Sequence, residues 1–83
     1  MLACELGPHS IRVVTLESGG VLEAVPEDSE GRDTIERIVA ATMLGAAATF
    51  DDVGNVAAFA ASDQARTITG STINIACGTT VDY

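Results

Sequence analysis

The side chains able to do chemistry in this chain are few and lie far apart. One histidine, His9, and two cysteines, Cys4 and Cys77, are its only imidazole or thiol metal ligands, and the single tyrosine, Tyr83, is the final residue. Structural zinc sites use about four ligands at close spacings, and here neither a Cys-x-x-Cys pair nor a second histidine supplies them. We therefore expect no metal site, and we expect His9 to be an exposed loop residue rather than a catalytic one.

The charge of the chain is strongly acidic. Twelve acidic residues stand against four arginines and no lysine, which gives a net charge of −8. Nucleic acids and anionic membranes are bound through clustered cations, so both are expected to be poor partners. Six of the acids crowd one segment, which predicts a solvated loop and helix start: Glu23, Glu27, Asp28, Glu30, Asp33 and Glu36.

Size and apolar content predict one small domain with a thin core. A chain of 83 residues is one domain at most. Alanine is abundant, tryptophan is absent and only Phe50, Phe59 and Tyr83 are aromatic, so little apolar area is available for burial. No apolar run reaches the length of a membrane span and no signal peptide is visible. With two distant cysteines, these features predict a cytoplasmic protein.

The pattern along the chain predicts alternating helices and strands. A helix end (1–6) is stopped by Gly7-Pro8, and a strand (11–16) follows that is expected to be buried on both faces. An acidic loop (21–31) precedes a helix capped by Asp33, with Glu36 completing a capping box and Gly45 at its end. A second helix is capped by Thr49 and stops near Ser62-Asp63, and a final strand spans 71–76. This order is a βαβ unit with a helical stub before it, and the fold class is α/β.

Several short motifs occur together in a defined order. "ELGPHSIRV", a glycine pair and then "LGAAATFDDVGNVAAFAASDQARTITGSTINIACG" cover nearly the whole chain apart from the loop near residues 23–33. This order resembles the carboxyl-terminal third of the short-chain dehydrogenase/reductase family, whose pattern is Glu-Leu-x-x-x-x-Ile-Arg-Val, a Pro-Gly loop, Glu-Asp-Val-Ala, Phe-Leu-Ala-Ser-Asp and Ile-Thr-Gly. Chain 1–83 is thus expected to be a single partial domain of that fold.

The resemblance implies a specific architecture. The family has a Rossmann-like, doubly wound fold, and its last two strands are parallel and joined by a left-handed connection. The helix stub and the helix that starts at Asp51 would then cover opposite faces of the strand pair. The intact family uses NAD or NADP as its cofactor.

The family's catalytic equipment is missing from these residues. The family carries a glycine-rich dinucleotide loop, a catalytic serine and a Tyr-x-x-x-Lys pair, whereas this chain has no lysine and its Tyr83 lies outside any such motif. Met1 falls downstream of both the tyrosine and the lysine. We therefore expect no catalytic residues here and no cofactor binding by the 83-residue chain alone.

One loop corresponds to a cofactor contact in the family. There a Pro-Gly pair after the first of these strands, with a threonine a few residues later, cups the nicotinamide. The matching residues here are Ser18 and Gly19, with Gly20 beside them and Glu23 in place of the threonine. Ser18, Gly19 and Gly20 are the cofactor-binding candidates, and a purely structural role in a turn is the alternative for the two glycines.

Several hypotheses about function follow. The first is a truncated family member that is inactive alone. The rival hypothesis is that Met1 is internal to a longer coding region. Inspecting the upstream DNA for an in-frame Tyr-x-x-x-Lys distinguishes the two. Another is an interaction module derived from the family's subunit interface, which would form a homo-oligomer or bind a full-length relative. An unrelated acidic regulator has no motif in its favour.

Overall fold

The computed structural model describes residues 1–78, and Tyr83 lies outside them. Within these residues three helices and two strands follow one another, with single 3₁₀ turns at Gly7–His9, Leu22–Ala24 and Asp63–Ala65. The elements are α1 (Leu2–Leu6), β1 (Val14–Glu17), α2 (Ser29–Ala40), α3 (Phe50–Ala61) and β2 (Ser71–Asn74). The α/β class is confirmed.

The two strands pair in parallel, as predicted. Val14 pairs with Ser71 and Glu17 with Asn74. The strand expected at 11–16 starts three residues late because its register is set by its partner. Val13 lies opposite the turn that ends at Gly70, which has a φ of +68°, and the N–H of Ile11 is bound by the carbonyl of Leu6 instead of by a strand.

The helices α1 and α3 cover opposite faces of the strand pair. Val14 and Leu16 line a cleft together with alanines of α3. Thr15, which lies between them, shares a different cleft with the first residues of α1. Because side chains alternate along a strand, these clefts are on opposite sides, which is the arrangement that the resemblance implied.

The helix at the start of the chain ends at Leu6, as predicted, with Gly7 as its C-cap. Gly7 itself keeps a helical conformation (φ −54°), and the chain continues into a 3₁₀ turn at Gly7–His9. Proline is compatible with the first turn of a helix, where its missing N–H has no partner to lose. The chain reverses at Ser10, which is left-handed with a φ of 60°.

The start of α2 was wrongly predicted. Asp33 is not its N-cap, because the helix begins one turn earlier at Ser29 with Asp28 as the cap. The Asp28 carboxylate accepts a hydrogen bond from the backbone N–H of Gly31 at 2.7 Å. The end was also misplaced: α2 stops at Ala40 rather than at Gly45.

Helix α3 agrees with its prediction. Thr49 is its N-cap, and the Thr49 hydroxyl accepts from the N–H of Asp52 at 3.2 Å. The Asp52 carboxylate in turn accepts from the N–H of Thr49 at 2.9 Å, which completes a capping box. Ser62 ends the helix.

Arg12 ties the far end of α3 to the turn before β2. Its guanidinium donates to the carbonyl oxygens of Ser62 and Ile68, both at 3.2 Å. A cation that binds two carbonyls at the carboxyl side of a helix complements that end of the helix dipole.

The core is as thin as the composition predicted. Within residues 1–78 the buried hydrophobic residues are all alanines: Ala48, Ala60, Ala65 and Ala76. Large side chains such as Leu2, Leu44 and Phe50 stay more than half exposed. The expectation that β1 is buried on both faces is wrong for these residues, since its side chains are half-buried or exposed.

The capping box makes a prediction for pH dependence. Hydrogen bonds from the Thr49 backbone and hydroxyl lower the pKa of Asp52. The stabilisation of α3 is thus complete above the ordinary aspartate pKa of ~3.9 and is lost as the pH falls through the lower folded value. We expect Asp52→Asn to lower the helical circular dichroism at pH 7 and to flatten its acid transition. Asp51→Asn, which removes a neighbouring charge, should leave that transition in place; equal effects of the two variants would contradict this role.

Candidate functional site

The candidate loop lies at the carboxyl ends of both strands. Ser18, Gly19 and Gly20 directly follow β1, and Gly19 has a φ of +61°, a conformation that favours glycine. A Cβ at Gly19 would stand 3.0 Å from the Cβ of Ala76, just after β2. Ligands of open α/β sheets bind at this edge, so the predicted residues are placed where a ligand is expected.

Gly20 faces the protein and not the solvent. A Cβ added there would lie 2.6 Å from Cδ1 of Ile38 in α2. The absence of a side chain therefore allows α2 to approach the loop closely. This contact favours the structural alternative for Gly20, whereas Ser18 and Gly19 remain candidates for contact with a ligand.

Glu23 has a partner in the chain itself. Both of its carboxylate oxygens accept from the backbone N–H of Phe50, at 3.0 and 3.1 Å, at the amino end of α3. The segment is held there further by a bridge between Val21 and Ala48. Glu23 therefore acts as an added cap of α3, stabilised by the positive end of the helix dipole.

An open cleft lies beside this loop. Its volume is about 550 Å³, and it is formed between the 3₁₀ turn at Leu22–Ala24 and α2. The cleft is lined by Leu22, Glu23, Val25, Pro26, Glu27, Arg32 and Ile35. Apolar walls with a few charged groups are typical of small-molecule sites.

The amino ends of the longer helices offer little to an anion. At α3 the N–H groups of Phe50 and Asp52 are bound by Glu23 and Thr49. At α2 the N–H of Gly31 is bound by Asp28. Since a dinucleotide pyrophosphate is held by such N–H groups, these two helix ends have fewer of them to offer to a pyrophosphate.

The other chemically competent residues are scattered. His9 is exposed before β1, at the opposite end of the strand from Ser18. Cys4 is exposed and Cys77 half-buried, and both are free thiols. Across residues 1–78, no cluster of three potential metal ligands occurs. In the same residues no helix is long and apolar enough to cross a membrane.

Comparison with known proteins identifies the family. Residues 1–80 match the family model described as enoyl-(acyl carrier protein) reductase. The chain belongs to the short-chain dehydrogenase/reductase family. The resemblance given by its motifs is thereby confirmed.

Individual members show how much of the fold is covered. The chain is 39% identical over 80 residues to an uncharacterized oxidoreductase of Methylorubrum extorquens, covering 94% of this chain and 32% of that one. It is 37% identical to the NADH-dependent enoyl-[acyl-carrier-protein] reductase FabI of Synechocystis, covering 93% of this chain and 30% of the relative. A structure of 4-hydroxyisoleucine dehydrogenase with NADH superposes with a TM-score of 0.82 at 30% identity, over 95% of this chain and 33% of the other. The chain therefore spans about a third of the length of these relatives.

Glu17 is a site residue that the sequence reasoning did not single out. One carboxylate oxygen, Oε2, is buried and has no hydrogen-bond partner within the described part of the chain. Glu17 ends β1 immediately before Ser18, opposite Asn74. The available signal was an acid at the end of the β-branched and apolar run "VTLE", which is an uncommon place for an unpaired charge.

Gly31 gives a test of how the cleft is built. It is buried, and a Cβ there would overlap the carbonyl oxygen of Pro26, a backbone atom that holds one wall of the cleft. We expect Gly31→Ala to destabilise the chain by about 1–3 kcal/mol. Gly54→Ala is the matched control, because a Cβ in mid-α3 meets nothing within 4 Å.

Gly54→Ala should instead stabilise α3 by about 0.5–1 kcal/mol through its higher helix propensity. Urea unfolding followed by circular dichroism measures both effects. Changes of the same sign in the two variants would show that the contact of Gly31 with Pro26 does not hold the cleft.

Proposed function

We propose that this chain supplies the nicotinamide side of an NAD(P)-dependent oxidoreductase. The observation that carries the proposal is the left-handed Gly19 with Ser18 at the carboxyl edge of the strands, in a chain whose residues 1–80 match the family. Relatives named for NADH or bound to it support a nicotinamide cofactor. In this proposal Ser18 and Gly19 contact the nicotinamide, while Gly20 supports them against α2.

The pyrophosphate cradle and the proton donor come from residues outside this chain. The helix ends of the described residues are already capped, and no lysine occurs in the 83 residues. In the family a tyrosine transfers the proton and a lysine lowers its pKa, so a complete enzyme needs both. The cofactor supplies the hydride, and this chain's part is to bind and orient the nicotinamide.

If this proposal is correct, the isolated 83-residue chain has no oxidoreductase activity. We expect titration of the 83-residue chain with NADH and NADPH to show no saturable micromolar binding by fluorescence. Its net charge of −8 makes the approach of an anionic dinucleotide less favourable still. An oxidation assay over a panel of alcohols should show no turnover. Turnover that survives repurification and disappears on mutation of this chain would overturn the proposal.

A second candidate function is an interaction module. The observation that favours it is the exposure of several large apolar side chains: Met43 is 73% exposed and Leu44 is 76% exposed. Exposed apolar surface of this kind marks interaction sites or aggregation liabilities. The partner would be a second copy or a full-length relative, and the acidic charge argues against nucleic acid and anionic membranes.

Size-exclusion chromatography with light scattering tests the interaction module. We expect the chain alone to elute as an oligomer or aggregate, because two parallel strands are rarely stable by themselves. Met43→Ser with Leu44→Ser should reduce the association, whereas Thr67→Ser, an exposed change away from these residues, should not. A monodisperse monomer that unfolds cooperatively would exclude this candidate.

The place of the protein in the cell is proposed from its thiols. Cys4 and Cys77 are both free in the structure. A reducing compartment keeps such thiols free, so we propose a cytoplasmic location.

A further inference from the structure

The segment that follows the candidate loop runs beside the start of α3. Val21 forms a parallel bridge with Ala48, and the N–H of Leu22 donates to the Ala48 carbonyl at 3.0 Å. One residue further on, the Glu23 carboxylate accepts from the N–H of Phe50 at 3.0 and 3.1 Å, across 27 residues of sequence. Residues 21–23 are therefore fastened to residues 48–50.

The contact made by Glu23 differs from the other two because it depends on a side chain. A backbone bridge is available to any residue other than proline, since each carries an N–H and a carbonyl group. The contact with Phe50 requires a long side chain that ends in an acceptor. An ionised acceptor at the amino end of a helix is bound more strongly than a neutral one. The residue type at position 23 therefore sets how firmly the segment is held.

This fastening limits the freedom of the candidate loop. Ser18 directly follows β1, and Leu22 is already bound, so only a few residues lie between two fixed points. A Cβ on Gly19 would stand 3.0 Å from Ala76, and one on Gly20 would stand 2.6 Å from Ile38, so the loop lies close to both the end of β2 and α2. A longer free segment has more conformations to lose when its ends are fixed. Release of residues 21–23 would therefore loosen the loop.

Glu23 also borders the cleft beside the loop. One wall of this cleft, whose volume is about 550 Å³, is the 3₁₀ turn that contains Leu22 and Glu23. Arg32 and Ile35 of α2 line the cleft as well. A turn that is held to α3 through Glu23 keeps its wall of the cleft in one place.

We propose that Glu23 is a positioning residue, which binds the amino end of α3 and thereby holds the Ser18–Gly20 loop and the adjoining cleft wall in the geometry that receives the nicotinamide. This inference rests on the proposed function. Glu23 acts through the loop, because both of its carboxylate oxygens are already bound by the N–H of Phe50.

Capping of α3 alone is a separate role, and a matched variant distinguishes it. Thr49 and Asp52 form a capping box at the same helix end. Asp52→Asn therefore weakens the start of α3 from within the helix, whereas Glu23→Gln weakens it and also releases the loop. Glu36→Gln makes the same change of charge at an exposed position on α2.

The first measurement is hydrogen–deuterium exchange of the 83-residue chain, followed by mass spectrometry of its peptides. We expect Glu23→Gln to speed exchange about threefold or more in residues 18–24 and at the start of α3, because a hydrogen bond to a charged acceptor is weakened. Glu23→Ala, which leaves no acceptor, should have a larger effect on the same peptides. Asp52→Asn should affect the start of α3 alone, and Glu36→Gln should affect neither.

The second measurement uses a complete enzyme. The FabI reductase of Synechocystis is produced with its matching residues replaced by this chain. We expect Glu23→Gln to raise the KM for NADH about threefold or more with a smaller change in kcat, since the loop binds the nicotinamide and takes no part in proton transfer. Asp52→Asn and Glu36→Gln should leave the KM for NADH near that of the original chimera.

Several outcomes would overturn the inference. They are exchange of residues 18–24 at the unfolded rate in the original chain, equal effects of Glu23→Gln and Asp52→Asn on those residues, or an unchanged KM in an active chimera. Where the chimera is inactive, the exchange measurements decide alone. Failure of the proposed function is separate: a folded chimera that binds no NADH, beside a loop that Glu23→Gln loosens, refutes the nicotinamide role and leaves the hold of Glu23 on the loop standing.

Discussion

The parallel pairing of β1 and β2 is the constraint on which the rest of the structure depends. Parallel strands need a long crossover, and here both intervening helices and the candidate loop belong to it. The two strands are fastened at their amino ends by long-range contacts: Arg12 binds the carbonyl of Ile68, and the N–H of Val13 donates to the Thr69 hydroxyl at 3.0 Å, each across 56 residues. Everything between these contacts is positioned by a ladder of only four residue pairs. The position of the candidate loop therefore depends on this short pairing of β1 with β2.

The excess of acids has a structural use at the helix ends. Asp28 caps α2, and Asp52 and Glu23 bind N–H groups at the start of α3. Carboxylates at helix amino ends are favoured by the helix dipole. The same arrangement weakens these helix ends as anion sites, since the N–H groups of Gly31, Phe50 and Asp52 are already bound. Local stability of the crossover and phosphate binding thus compete for the same groups, and this chain uses them for stability.

Local chemistry decided which features could be predicted from the sequence. The N-cap of α3 was predicted because Thr49 and the acidic first turn after it need no other element. The start of α2 was wrongly predicted because Asp28 and Asp33 both fit a cap, and in the structure it is Asp28 that binds the N–H of Gly31. At the candidate site, the resemblance to the family predicted where Ser18 to Gly20 lie. The unpartnered oxygen of Glu17 could not be predicted, because its burial depends on residues distant in the sequence.

The alanine-rich packing explains why this chain can carry the motifs of its family and still have little hydrophobic core of its own. Small side chains at Ala48, Ala60 and Ala76 let backbones approach closely, but each removes little apolar area from water. The larger side chains, including Leu2, Phe50 and Phe59, are instead exposed to solvent. A segment built in this way gains most of its hydrophobic stabilisation when further elements cover it. The buried alanines therefore shape close contacts, while the apolar area of the larger side chains within residues 1–78 stays largely uncovered.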